Sequence, residues 1–112
     1  MNVTPFQQRV YDAISLIPKG RVATYAGVAA FIGCGSPRAV GQALKVNPFA
    51  PQVPCHRVIA ASLTLGGFQG EREGAAIERK RRMLALEGVR FKSGKLAEPE
   101  RVFSFMRSTH GN

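Results

Sequence analysis

The residues of this chain best suited to chemistry are a cysteine and a histidine that follow one another. Cys55 stands between Pro54 and His56, inside the mostly apolar run 53–61. A thiol is a nucleophile only as its thiolate, and a neighbouring imidazole or cation such as Arg57 lowers the pKa of a thiol. Proline fixes its own φ and biases the residue before it toward an extended backbone. The segment therefore predicts a stiff approach that presents one sulfur atom at a defined place.

A second interpretation is that Cys55 is only a small buried side chain, the commonest role of a cysteine in an apolar run. Adjacent residues on a strand point to opposite faces, so His56 does not by itself establish a catalytic pair. For the same reason a cysteine hydrolase that uses these two residues as a dyad is a weak hypothesis. The rest of the chain must decide between a reactive and a structural cysteine.

The other cysteine, Cys34, raises the questions of a disulfide and of a metal site. We expect both thiols to be reduced, because residues 1–20 lack the charged start and long apolar stretch of a secretory signal. A zinc site made of Cys34, Cys55, His56 and His110 would lack the ligand spacing of zinc fingers. We therefore predict no metal site.

Composition and charge indicate a folded, basic protein. The chain has 112 residues, of which 45% are hydrophobic, and this favours one globular domain over disorder. Its 16 Lys and Arg against 7 Asp and Glu give a formal net charge of +9, which indicates nucleic acid as the partner. An anionic membrane is the competing partner, but neither a membrane-spanning run nor a strongly amphipathic basic helix stands out.

Three helices with clear start and stop signals precede the cysteine. We predict them at about residues 5–17, 25–32 and 37–46. Residues that commonly cap helices precede each of them, namely Thr4, Thr24 and Ser36. Because the second and third helices are short and joined by a glycine turn at 33–35, they are typical of a helix-turn-helix.

The third helix mixes polar and small side chains. The polar ones are Arg38, Gln42 and Lys45, and the small ones are Ala39, Gly41 and Ala43. Small residues allow close packing against the neighbouring helices, or a close approach to a flat partner. The net charge and the glycine turn favour a helix that faces DNA.

The second half of the chain predicts shorter elements. We expect an extended segment at 53–59, a flexible loop at 66–70, a helix at about 74–86, a hairpin of 89–91 with 95–97, and a short closing helix at 102–106. At about 100° of rotation per residue, Glu87 falls on the apolar side of that helix. A carboxylate buried there needs a hydrogen-bond or ion-pair partner. The alternative is that the end of the helix is frayed and Glu87 is solvated. The charged run 78–82 is most simply a solvated face, with phosphate contact as the alternative.

Several of these motifs occur together in one protein family. They are the RAVG run 38–41, Asn47-Pro48, the PCHRV run 54–58 and the LALEG run 84–88. In these motifs residues 4–90 resemble the C-terminal domain of O6-alkylguanine-DNA alkyltransferases and the smaller alkyltransferase-like proteins. The resemblance implies a mainly α fold with a small β component, containing a helix-turn-helix, winged-helix-like DNA-binding domain. We expect one such domain over residues 1–112, with its core at about 4–106 and no N-terminal domain.

The resemblance also implies catalytic roles. Cys55 would accept the alkyl group from guanine O6 in one irreversible transfer. His56 would act as the base through a water, and Glu87 would orient that histidine. Asn47 would brace the turn around the cysteine, and Tyr25 would help to protonate the leaving guanine.

Binding roles follow from the same resemblance. Arg38 would enter the duplex as an arginine finger, and the third helix would dock in the minor groove. The DNA-binding candidates are Thr24, Tyr25, Arg38, Ala39, Gly41, Gln42 and Lys45, and the substrate-pocket candidates are Pro54, Val58, Phe68 and Gln69. We expect a monomer that acts without a cofactor on double-stranded DNA containing O6-alkylguanine, in the cytoplasm or nucleus.

An alternative function comes from the alkyltransferase-like proteins. These bind and flip alkylated bases without repairing them, pass the lesions to nucleotide excision repair proteins, and typically carry tryptophan in place of the acceptor cysteine. This chain keeps the cysteine, but Phe68, Gln69 and Glu71 differ from the Tyr, Ser and Gly of the repair proteins. A winged-helix regulator with a structural cysteine is a third hypothesis. The repair hypothesis requires that Cys55 be reachable and that an imidazole-to-carboxylate chain lead away from it.

Overall fold

The predicted helix-turn-helix is present in the computed structural model of the chain, which describes residues 3–67 and 73–105. The helices in these ranges are α1 (Pro5–Ile14), α2 (Tyr25–Ile32), α3 (Pro37–Lys45) and α4 (Ala75–Leu86). The predicted caps of α1, α2 and α3 each accept a hydrogen bond from the backbone N–H three residues further on, at 2.9–3.1 Å. None of the helices in the described ranges is both long enough and apolar enough to span a bilayer.

The first three helices enclose one hydrophobic core. α1 packs against both α2 and α3, and its apolar stripe includes Val10 and Ile14, which are fully buried. The hydroxyl of Tyr11 donates to the Ala43 carbonyl at 2.7 Å, so this buried phenol has its polar atom satisfied. Gly33 ends α2 with φ of 75°, a conformation that glycine adopts at little cost and that turns the chain into α3. The helix-turn-helix is thus held on a rigid base.

Four short strands complete the fold of the described residues. β1 (Ala23–Thr24) pairs in parallel with β2 (Val58–Ile59), and β3 (Phe91–Lys92) pairs antiparallel with β4 (Lys95–Leu96). The β3–β4 pair confirms the predicted hairpin. The β1–β2 pair joins the entrance of α2 to the segment that follows Cys55. A second core under this pair contains the buried side chains of Val22, Ile59, Leu65, Leu84, Val89 and Leu96.

Two predicted helix boundaries differ from the structure. α1 ends at Ile14 rather than near residue 17, and residues 16 and 17 continue in tighter bonds to carbonyls three residues back. Pro18 disfavours the helical conformation of Ile17 and has no N–H to donate to the Ile14 carbonyl, so the helix cannot continue through residue 18. The predicted closing helix is wrong for residues 102–105: Val102 bridges Val22, and a 3₁₀ turn occupies Pro99–Arg101 instead. Met106 lies outside the described residues.

The predicted extended segment 53–59 is also wrong in its centre. Cys55–Arg57 form a 3₁₀ turn, in which the Arg57 N–H donates to the Pro54 carbonyl at 2.9 Å, and only Val58–Ile59 are a strand. Side-chain bonds from this turn to the end of α4 favour the turn over a strand, because a strand would send neighbouring side chains to opposite faces. The turn lets both His56 and Arg57 reach the same partner.

Candidate active site

Cys55 forms part of the wall of a cleft of about 940 Å³. Lining residues come from α2, α3, α4, the loop 60–67 that follows β2, and Gly94 between β3 and β4. The cysteine is only 8% exposed, yet it contributes to the surface of the cleft. Access to the Cys55 sulfur through this cleft, which the repair hypothesis requires, stays a prediction.

Asn47 holds the segment that leads to the cysteine. Its Nδ2 donates to the Val53 carbonyl at 3.0 Å, and its Oδ1 accepts from the Phe49 N–H at 2.9 Å. Both ends of the amide are thus used to close the loop between α3 and Cys55. These bonds suit the bracing role predicted for Asn47.

The Cys55 side chain is a thiol at rest. Burial raises its pKa, and the hydrogen bond with Asn47 and the charge of Lys80 oppose this effect without outweighing it. The Arg57 guanidinium, which the sequence places next to the cysteine, is instead engaged with the Glu87 carboxylate. Cys55 must therefore lose a proton before it can act as a nucleophile.

An imidazole-to-carboxylate chain begins at the next residue. His56 is 4% exposed, and its Nε2 lies 3.0 Å from Oε2 of Glu87, the residue that caps the end of α4. Burial raises the pKa of Glu87, but hydrogen bonds from Arg57 and His56 outweigh burial, so the pKa is lowered and the carboxylate is ionised at neutral pH. An ionised carboxylate only accepts hydrogen bonds, so Nε2 of His56 carries the proton. Of the two interpretations of Glu87, the structure supports the partnered acid.

The same environment keeps His56 ready to accept a proton. Burial lowers its pKa, and the hydrogen bond and charge of Glu87 raise it by less. At neutral pH the imidazole is therefore uncharged. With the proton on Nε2, its Nδ1 has a free lone pair and is a base.

Tyr25 contributes a hydroxyl to the cleft. It is the first residue of α2, and its hydroxyl donates to the Gly67 carbonyl at 3.2 Å. Burial, with a smaller contribution from Cys55, raises the pKa of Tyr25 to about 12. The phenol is therefore protonated near neutral pH and can donate a proton or a hydrogen bond.

Lys80 is a site residue that the charge pattern does not reveal, because the run 78–82 by its charge predicts a solvated face. Its side chain is fully buried, and Nζ donates to the carbonyls of Val58, Leu65 and Gly67 at 2.5–2.9 Å. Nζ also lies 5.9 Å from the centre of the Tyr25 ring. The signal was present in the spacing, since Lys80 lies four residues from both of the buried residues 76 and 84.

The charge state of Lys80 reflects two opposing effects. Burial lowers its pKa to about 7. The three carbonyls favour the ammonium form, because only that form has three N–H donors. Below pH 7 one cation therefore ties the end of β2 to the loop 65–67 that lines the cleft.

The exposed face of α3 forms another wall of the cleft. Arg38, Gln42 and Lys45 are spaced by four and three residues, so they project from the same face, and all three are exposed lining residues. Gly41 lies between them in the lining. Two other DNA-binding candidates, Ala39 and Thr24, are absent from the described lining: Ala39 is half-buried, and the Thr24 hydroxyl caps α2.

The substrate-pocket candidates are placed less directly. Pro54 and Val58 are buried next to the 3₁₀ turn and do not line the described part of the cleft. Val58 instead pairs with Ala23 and offers its carbonyl to Lys80. Phe68 and Gln69 lie outside the described residues.

Cys34 and Cys55 are both free thiols. In residues 3–67 and 73–105, no three His, Cys, Asp or Glu side chains are grouped as metal ligands.

The chain is similar in sequence to known proteins that act on DNA. A family model described as the DNA-binding domain of 6-O-methylguanine DNA methyltransferase matches residues 5–89. A methylated-DNA–protein-cysteine methyltransferase of Methanothermobacter thermautotrophicus is 46% identical over 86 residues, which are 77% of this chain and 46% of that protein. A DNA base-flipping protein of Thermus thermophilus is 46% identical over 69 residues, 62% of this chain and 46% of that protein. The chain thus spans about half the length of these relatives.

Two solved structures share the fold. Mycobacterium tuberculosis OGT in complex with DNA matches with a TM-score of 0.69 and 48% identity, over 77% of this chain and 51% of that chain. S. pombe Atl1 in complex with damaged DNA containing O6-carboxymethylguanine matches with a TM-score of 0.78 and 34% identity, over 93% of this chain and 99% of that chain. The predicted fold class, a mainly α helix-turn-helix domain with a small sheet, is confirmed.

Proposed function

This chain belongs to the 6-O-methylguanine DNA methyltransferase family, and we propose on that basis that it everts O6-alkylguanine from duplex DNA and transfers the alkyl group to Cys55. The observation that carries the proposal is the surroundings of the cysteine. Cys55 lines the cleft, and the next residue, His56, is buried with its Nε2 3.0 Å from Glu87. A cysteine kept only for packing needs no such chain of imidazole and carboxylate.

The proposed transfer is a displacement at the alkyl carbon. The bond from Sγ to that carbon forms while the bond from the carbon to guanine O6 breaks. The thiol proton passes to Nδ1 of His56, directly or through a water, and Glu87 stabilises the resulting imidazolium. The departing guanine takes a proton from the Tyr25 phenol, and the imidazolium proton returns to the phenolate through solvent. The product is a thioether on Cys55, so each protein molecule reacts once.

Binding of the lesion is assigned to the α3 face of the cleft. A base within a duplex must leave the stack before its O6 substituent can meet a thiol, at a cost of a few kcal/mol. An inserted side chain offsets this cost, and Arg38 at the start of α3 is the exposed candidate. We assign phosphate contact to Lys45, which is exposed at the other end of α3.

Intact-mass spectrometry tests the proposal. After incubation with a duplex that contains O6-methylguanine, we expect the protein to gain the mass of one methylene group, located on Cys55 by peptide mapping. The Cys55→Ala variant should bind the same duplex and gain no mass, whereas Cys34→Ala should react like the wild type. An unmodified wild-type protein, under conditions where the duplex is shown to be bound, would reject alkyl transfer.

A lesion-binding protein without transferase activity is the second candidate function. One observation favours it: S. pombe Atl1 in complex with damaged DNA matches this fold with a TM-score of 0.78, against 0.69 for M. tuberculosis OGT in complex with DNA. It predicts preferential binding of alkylated duplex that survives Cys55→Ala and adds no mass to the wild type. Recruitment of nucleotide excision repair proteins, a monomeric state and a cytoplasmic or nuclear location stay predictions.

Arg38 and Lys45 should differ in what they contribute to binding. We expect Arg38→Ala to weaken binding of the O6-methylguanine duplex by about 10- to 100-fold, because the inserted side chain offsets the cost of eversion. Lys45→Gln should weaken lesion-containing and undamaged duplexes alike, and should reduce the slope of log K against log salt by about 1. Fluorescence anisotropy with both duplexes over a range of salt measures these effects. Equal losses on both duplexes for Arg38→Ala would refute the finger role.

A further inference from the structure

We propose that Arg57 is a positioning residue for alkyl transfer: it fixes the Glu87 carboxylate so that His56 keeps its proton on Nε2 and offers Nδ1 to the thiol proton of Cys55. This inference deepens the proposed function and rests on it. Arg57 itself contributes no lining to the described part of the cleft. It would act on the reaction only through the two side chains behind the cysteine.

The geometry of the guanidinium carries the inference. Nε donates to Oε1 of Glu87 and Nη2 donates to Oε2, both at 2.9 Å, so the fork holds both carboxylate oxygens. The remaining nitrogen, Nη1, donates to the Ile17 carbonyl at 2.9 Å. This bond anchors the guanidinium to the backbone three residues beyond the end of α1. The pair is largely shielded, with side-chain exposures of 17% for Arg57 and 12% for Glu87. A bidentate, anchored fork fixes the plane of the carboxylate as well as its charge.

The orientation of the carboxylate decides the tautomer of His56. Oε2 of Glu87 accepts from Arg57 and also faces Nε2 of His56 at 3.0 Å. While the carboxylate is ionised and held in this plane, Nε2 must be the donor, which leaves the lone pair on Nδ1. Without the fork, the ionised carboxylate could rotate in place, and Nε2 would no longer be fixed as the donor.

Arg57 also balances the charge that Glu87 places next to the base. The titratable groups that act on His56 are Lys80 on α4, Glu87 at the C-terminal cap of α4, and Arg57 in the same turn as His56. Glu87 alone would favour the imidazolium, a form that cannot accept the thiol proton. Burial and the positive charges of Arg57 and Lys80 lower the pKa of His56 against the effect of Glu87. Loss of Arg57 should therefore raise the pKa of His56.

The experiment follows the His56 ring by ¹⁵N NMR during a pH titration, with His110→Gln in every variant so that one imidazole is observed. In the wild-type background we expect the Nε2–H tautomer. Arg57→Met should raise the pKa of His56 by about one pH unit and mix the tautomers. In the pH profile of the single-turnover transfer rate, the pH at which the rate falls in acid should rise by the same amount. Arg57→Lys keeps the charge but not the fork. Its His56 pKa should be close to that of the wild type, whereas its preference for the Nε2–H tautomer should be weaker than that of the wild type.

Arg101→Met is the matched control. Arg101 also bonds a carboxylate and a backbone carbonyl, those of Glu98 and Gly20, but it reaches the carboxylate through Nε alone and is 32% exposed. We expect it to alter stability without changing the His56 titration. If Arg57→Met and Arg57→Lys leave both the tautomer and the pKa of His56 as in the wild type, the inference is wrong. The NMR arm gives this answer even if the wild type transfers no alkyl group, so failure of the inference and failure of the proposed function are distinguishable.

Discussion

Replacing His56 with alanine should slow alkyl transfer to Cys55 by about 10²–10⁴-fold, the usual contribution of a positioned general base. The reason is the protonation state of the cysteine, whose pKa is raised by burial, so that the nucleophile must be generated within the site. Binding of the alkylated duplex should be nearly unchanged, because the His56 side chain is buried behind the cleft rather than in its described lining. Rapid-quench single-turnover kinetics with mass detection, beside anisotropy of binding, measures both quantities.

The pH dependence gives the same prediction a second test. In His56→Ala the thiolate can form only by ionisation of Cys55 itself, so the rate should climb with pH up to the raised thiol pKa. The wild-type rate should level off at lower pH, because the lowered pKa of His56 keeps it a neutral base. His56→Gln is the matched control, since it can still donate to Glu87 but is not a base. A rate within a few-fold of the wild type for both variants would show that another group takes the proton.

Glu87→Gln should lower the free energy of unfolding by about 2–4 kcal/mol. Removing one partner of a buried ion pair costs roughly 3–5 kcal/mol, and the 12% and 17% exposures of Glu87 and Arg57 reduce that figure. Glu98→Gln is the control, because Glu98 also pairs with an arginine but is 51% exposed, and its loss should cost about 0.5 kcal/mol or less. Urea unfolding at neutral pH followed by circular dichroism measures both.

The difference between the wild type and Glu87→Gln should vanish in acid. The pKa of Glu87 is lowered in the folded protein, whereas an unfolded glutamate titrates at about 4.3. The stabilisation is therefore fully present above that value and is lost as the pH falls through the lower, folded-state pKa. If Glu87→Gln costs no more than Glu98→Gln, or if its cost is the same in acid, the carboxylate does not hold the buried charge.

The helices and the hairpin were predictable because their signals are local. Thr4, Thr24 and Ser36 cap helices through bonds to backbone three residues away, and Ser93-Gly94 forms the hairpin turn with positive φ at both residues. The pairing of β1 with β2 joins residues more than thirty positions apart in strands of only two residues. Such short strands leave no alternating pattern to detect.

The candidate site was predictable in its residue types more than in its geometry. A resemblance predicts Cys55, His56 and Glu87 in one site, and the structure pairs the side chains of His56 and Glu87 beside the 3₁₀ turn that contains Cys55. The partner of Arg57 was not predictable, since nothing local connects it to a residue 30 positions away. Lys80 was missed because charge was given more weight than helical spacing, although burial of its carbon stem follows from its place on the apolar arc.

The hydrogen bonds of Arg57 have a consequence for synthesis of the chain. They join the carbonyl of residue 17, the turn at 55–57 and the carboxylate of residue 87. The helix-turn-helix, by contrast, is complete by residue 45. A nascent polypeptide thus contains the whole helix-turn-helix before translation reaches Glu87. Under the proposed function, the sulfur would gain its imidazole-to-carboxylate chain only after the helices of the helix-turn-helix have been synthesised.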